Sequence, residues 1–187
     1  DAAIEACERT LSWRYEQPAL RLVPGAYDYA YSAPTDAEVH AFITVTVNGR
    51  RLEPVTLEHL HDIQPKWPEA TVDERSEPRY ITQFDADNFV VAPVPDDAAS
   101  YDLKMIVALK PLRTATKMDK SILDELENVI MHGALQHLLV LPGKEWSDTK
   151  LATYHAKQFS FKISERRART NLGAARASMT VEMRPLA

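Results

Sequence analysis

Ile43-Thr44-Val45-Thr46-Val47-Asn48-Gly49-Arg50-Arg51-Leu52 decides how the middle of this chain folds. Ile43, Val45 and Val47 alternate with threonines, the period of two that lays apolar side chains on one face of a strand. Asn48-Gly49 comes next, with Leu52 and Val55 beyond it. A type I′ turn needs positive φ at both central residues, and Asn-Gly meets that need at least cost. The stretch predicts a tight β-hairpin inside a β-rich middle.

The same alphabet continues on both sides. Upstream, Tyr27, Tyr29 and Tyr31 alternate after a Pro24-Gly25 break, which predicts one face of a strand. Downstream, Thr56–Gln64 reads as a short helix with Thr56 as N-cap and Pro65 as its stop. Gln64–Pro78 reads as a loop rich in Pro and acidic residues. Strands are expected over Arg79–Phe84, Phe89–Val94 and Tyr101–Leu109, separated by turns at Asp85–Asn88 and Pro95–Ser100. Leu103, Met105, Val107 and Leu109 keep a period of two. Pro93 cannot donate to a ladder, so its strand must lie at an edge or end early.

Both ends of the chain change to a helical period. Ile4, Cys7 and Leu11 recur at three and four residues, which predicts a helix over Asp1–Leu11. From Asp119, one apolar face holds Ile122, Leu126, Val129, Ile130, Ala134 and Leu138, widened by Leu123, Leu135 and Leu139. So broad a face implies burial by more than one neighbour. Pro142-Gly143 ends this helix. Ser147 is read as the cap of another, running to about Ala168, with Leu151, Ala152, His155, Ala156, Phe159 and Ile163 on its apolar arc. The short connection implies an antiparallel hairpin. Asn171–Ala187 loses periodicity and reads as an extended tail. The expected fold class is α+β: a helical bundle from residues 1–12 and 112–170, a β-rich lobe over 13–111, and an extended C-terminal tail over 171–187.

Composition bounds the function. The chain has 187 residues, 45% hydrophobic and 26% charged, with a net charge of −5, which is ordinary for a globular protein and supplies no basic field for nucleic acid. A single cysteine, Cys7, rules out an intrachain disulfide and so a small secreted scaffold. No run approaches the ~20 apolar residues of a membrane span. The six histidines form no metal-ligand spacing: His59 and His61 diverge on a helix, and His132 and His137 are five apart, off the shared-face intervals. There is no glycine-rich phosphate loop, no nucleophile elbow and no Cys–His grouping. Cys7, on an apolar helix face, reads as an inert buried thiol. No catalytic residue, cofactor site or metal site is expected, and the chain is read as a structural protein.

Charge is divided along the sequence. From Lys144 onward nine basic residues face four acidic ones, whereas the preceding residues hold thirteen against twenty-three. Arg166, Arg167, Arg169 and Arg176 gather where the last helix gives way to the tail, and Met179, Val181 and Met183 then alternate. Arginines at a helix end complement its dipole. They also suit a docking tail that orders on a partner by strand addition. On that reading Arg166, Arg167, Arg169, Arg176, Met179, Val181 and Met183 contact a partner.

Several segments together carry a resemblance: Trp13-Arg14-Tyr15, the stretch from Val47 to Val55, Pro78-Arg79-Tyr80-Ile81, Phe89–Pro95, Val107-Ala108-Leu109-Lys110-Pro111, Gly133-Ala134-Leu135, and the run from Leu141 to Asp148. With them the chain resembles the head-to-tail adaptor (connector) proteins of tailed bacteriophages, and its architecture is similar to that of tail tubular protein A of short-tailed phages. The resemblance implies a virion protein at the head–tail junction, made in the host cytoplasm. It implies a dodecameric homo-oligomeric ring between the portal protein and a tail nozzle protein, with DNA passing through the lumen without sequence-specific binding and no membrane contact. A tail-completion or tail-terminator ring is the alternative assembly role, and a nucleic-acid-binding module resting on the arginines is a third.

Overall fold

The computed structural model describes residues 1–172. They are mixed α+β and form two compact units, Trp13–Met118 and a second one built from Asp1–Ser12 with residues 119–172. Leu112–Met118 groups with the β-rich unit. The helices are α1 (Ala2–Thr10), α2 (Leu57–Ile63), α3 (Lys120–Leu139) and α4 (Thr149–Leu172).

The β-rich unit contains strands β1 (Arg14–Glu16), β2 (Leu20–Arg21), β3 (Asp28–Ala30), β4 (Ala37–Val47), β5 (Arg50–Arg51), β6 (Glu53–Pro54), β7 (Tyr80–Gln83), β8 (Asn88–Ala92) and β9 (Asp102–Pro111). One sheet runs β1-β9-β4-β5, with β2 also pairing β9, and the other runs β3-β8-β7-β6. All pairings are antiparallel except β6 with β7. Asn48 and Gly49 have φ of 49° and 83°, and Val47 pairs with Arg50 across them. The expected hairpin and its turn are therefore present. Ile43 departs from the simple alternation. The β4–β9 register shifts between Val39 and Ala41 and again between Phe42 and Thr44, so Ile43 is only half-buried while Val45 and Val47 are fully buried. A bulge adds a residue on one strand and rotates the residues after it.

Tyr27 stands edge-on to Trp67 at 5.0 Å, and Tyr29 and Tyr31 lie 5.7 and 5.1 Å from the Phe89 ring. The tyrosines thus join the second sheet to its core. Around Trp67 that core holds Leu60, Val90 and Ala92, flanked by Tyr80 and Val55. Leu60 comes from α2, whose N-cap Thr56 accepts from the His59 amide at 3.2 Å. The loop after it contains two 3-10 turns, Trp67–Glu69 and Val72–Glu74, the second closed by a Thr71–Glu74 capping box. β8 stops at Ala92, before Pro93, and lies between β3 and β7. Pro93 thus ends the strand without forcing it to an edge.

The helical unit contains α1, α3 and α4. α1 ends at Leu11 in the left-handed region, φ 53°, with its amide on the Cys7 carbonyl. Asp119 caps α3 through the Ser121 amide. Contacts between α3 and α4 run in opposite senses, Leu139 to Asp148, His132 to His155 and Glu125 to Arg166, which makes the expected antiparallel hairpin. Two boundaries differ from the sequence reading. Asp148, not Ser147, caps α4: its carboxylate accepts from the Lys150 and Leu151 amides, while the Ser147 hydroxyl donates to the Leu139 carbonyl. Helix α4 runs past Ala168 to Leu172, so Asn171 and Leu172 are helical rather than tail.

Candidate functional site

Gly133 lets α3 and α4 approach closely. A β-carbon there would lie 2.8 Å from the Phe159 ring and 3.1 Å from the Ala2 β-carbon. Leu126, Val129, Phe159 and Ile163 complete the buried seam, and Arg9 of α1 lies 5.6 Å over the Phe159 ring. Glu5 of α1 reaches both Arg9 at 2.9 Å and His137 at 3.8 Å.

On the α3–α4 seam, Arg166 pairs with Glu125. Burial, then the neighbouring Arg169 charge, pulls the Arg166 guanidinium below the usual arginine range. Arg169 bonds Glu165 at 2.6 Å, and Lys162 reaches the same carboxylate at 3.5 Å. Arg167 is exposed. Of the arginines read as a partner-binding set, Arg166 therefore ties α4 to α3, Arg169 lies on the α4 surface, and Arg167 faces solvent. Arg176, Met179, Val181 and Met183 lie outside the described residues, as does the expected tail from residue 173 onward.

Sequence spacing misses one contact. Intervals along a single helix set His132 against His137, but its partner is His155 across the hairpin, with the two Nδ1 atoms 2.8 Å apart. Burial, then the charges of His155 and Lys162, lowers the His132 pKa. Across this contact one Nδ1 must donate its hydrogen and the other accept through its lone pair. Tyr154 stands edge-on to His155 at 5.3 Å.

Helical spacing also predicts more burial than the subunit supplies. Leu123, Leu138 and Leu151, on apolar faces expected to pack, are 45, 49 and 44% exposed. Met131, Leu141, Trp146, Tyr154 and Phe161 of the helical unit are likewise exposed.

Cys7 is a free cysteine among the described residues. The Cys7 thiol is buried, and burial followed by the Glu8 charge raises its pKa to about 12, which keeps it protonated. Among the same residues, no group of three or more His, Cys, Asp or Glu is placed to hold a metal ion. No described helix is long and apolar enough to cross a membrane.

Comparison with known proteins gives this architecture its class. A family model for the SU10 adaptor protein matches residues 1–184, which places the chain among the adaptor proteins of bacteriophage virions. The chain belongs to the SU10 adaptor protein family. No curated protein matches it.

Proposed function

We propose that the protein is the head-to-tail adaptor subunit of a tailed phage. On this reading it assembles, as a dodecamer, into a ring between the portal and the tail nozzle, and DNA passes through the lumen. The match of the adaptor family over residues 1–184 carries the proposal. On this reading its architecture is similar to that of tail tubular protein A of short-tailed phages, an α-helical bundle beside a β-rich lobe. The work is assembly, without catalysis or cofactor.

The docking segment contributes Arg176, Met179, Val181 and Met183, and Arg166, Arg167 and Arg169 lie at the helical end that leads to it. Guanidinium contacts to acidic groups on the portal or a neighbouring subunit would weaken as salt rises. The test is to mix the purified chain with the portal protein of the same virion, then measure co-sedimentation and image the particles. A ring attached to the portal is expected, with amide exchange in residues 173–187 slowed in the complex. Absence of portal binding, together with binding to a tail component alone, would replace this reading with a tail-completion role.

A further inference from the structure

Eight of the ten exposed large hydrophobics described in the helical unit fall into two strips, and Val140 and Trp146 lie outside them. On α3, Leu123, Met131 and Leu138 are each more than 40% exposed, as is Leu141 just past the helix end. At roughly 100° of rotation per residue, the three helical residues fall on the side of α3 turned away from Glu125, Val129 and His132, which face or line the seam with α4. Leu141 continues that line. On α4, Leu151, Tyr154, Phe161 and Leu172 are exposed, Phe161 by 63%. They keep the alternating three-and-four spacing of a heptad seam, with Gln158, Glu165 and Ala168 at the intervening positions. Tyr154, Phe161 and Leu172 are turned away from Phe159 and Thr170, which meet Arg9 and Ser12, and Leu151 lies at the border of that side.

Both strips lie on one antiparallel hairpin. Their charges are opposite. Helix α3 carries Asp124, Glu125 and Glu127 against Lys120, while α4 carries six Lys and Arg against Glu165 alone. Asp124 and Glu127 border the α3 strip, and Lys150 and Lys157 border the α4 strip. Like strips would bring like charges together, whereas unlike strips pair them. A contact between two different patches of the same chain is heterologous, and its repetition yields a ring or a filament.

We infer that the α4 strip of one copy docks on the α3 strip of a second copy, head to tail. This inference deepens the adaptor reading, on which it rests, by naming the faces through which subunits meet. Phe161 and Met131 are the anchors of the two strips, and neither is buried within the subunit.

Sedimentation of the full chain over a range of concentrations, with Phe161→Asp and Met131→Asp, tests it. Wild type should associate with concentration, while each variant keeps the wild-type melting temperature and binds itself roughly thirty-fold more weakly or worse, as loss of a central aromatic or apolar anchor does. An equimolar mixture of the two variants should form a one-to-one dimer, since it retains one intact α3 strip and one intact α4 strip. Failure of the mixture to dimerise would overturn the head-to-tail pairing. Variants that associate like wild type would overturn the choice of faces, and portal binding by those same variants would show that the adaptor reading survives it. A wild type that stays monomeric, with sedimentation unchanged by either substitution, would assign the strips to another occupant, such as residues 173–187 of the same chain, and overturn the inference.

Discussion

The two units treat their apolar residues differently. Among the described residues, ten of the fifteen exposed large hydrophobics lie in the smaller helical unit, and five in the β-rich unit. The β-rich unit buries its alternating residues in its own sheets, where Val39, Val45, Leu103, Val107 and Leu109 are almost wholly inaccessible. The helical unit packs one seam around Leu126, Gly133 and Phe159 and leaves other helix faces apolar and open. A sheet with one filled face is finished when its core closes. A unit whose helices carry apolar residues on further faces packs through its seam and leaves apolar surface open.

That contrast is tested hardest at the seam. Leu126 is fully buried, so Leu126→Asp places a carboxylate inside the closed seam, out of reach of water. A loss on the order of 3 to 5 kcal/mol is expected, enough to abolish most helical ellipticity at 222 nm. A soluble variant with an unchanged melting curve would show that the unit does not depend on this seam.

The β-rich unit is probed at its hairpin. Gly49 has φ 83°, with nothing within 4 Å of where a β-carbon would sit, so Gly49→Val meets backbone strain without a clash. The expected cost is about 1 to 2 kcal/mol, read as a lower urea midpoint with an unchanged slope. Gly49→Asn should recover most of it, because asparagine tolerates the left-handed region. Equal effects of Val and Asn would mean that the turn does not hold this backbone in solution.

Local chemistry makes the β-rich unit legible. Asn48-Gly49, the Thr56 cap and the period of two in β9 each act over a few residues, and all appear as read. The fold class comes from them and from the switch to helical spacing after Asp119. The bulges around His40 and Ile43 are not visible in sequence, because register depends on how β4 meets β9 rather than on β4 alone. On the helices, spacing shows which residues share a face but not which faces find a neighbour inside the subunit. Leu123, Leu138 and Leu151 therefore read as packed although they are open. Ser147 and Asp148 are both competent caps, and the choice turns on the Leu139 carbonyl, which engages the serine hydroxyl. His132 and His155 are twenty-three residues apart, so only the antiparallel register of the hairpin brings them together. Arg166 reads as available for a partner because nothing in its own neighbourhood of sequence points to Glu125, which lies opposite it on the other helix.

The smallest effect concerns that histidine pair, and it separates seam from surface by pH. Around His132 the charged or titratable groups are His155, Lys162 and, through His155, Tyr154. Burial comes first among the causes that lower its pKa, and the neighbouring His155 and the Lys162 ammonium act in the same direction. The unfolded chain then takes up a proton near the ordinary histidine value of about 6.5 while the folded chain resists it. The stability this neutral imidazole contributes is present above that pH and lost progressively as pH falls through it, until the folded-state pKa is also passed. Because the unfolded state binds more protons in this window, stability must rise with pH there. The melting temperature of the helical signal should therefore drop between pH 7 and pH 5, by less than Leu126→Asp lowers it at neutral pH. His132→Gln keeps a polar side chain at the position but removes the titration, so its melting temperature should vary less over that interval. The turn variant Gly49→Val should keep the wild-type pH dependence, since the hairpin contains no group involved. An identical pH profile for His132→Gln and wild type would show that the acid sensitivity, if present, comes from elsewhere in the molecule.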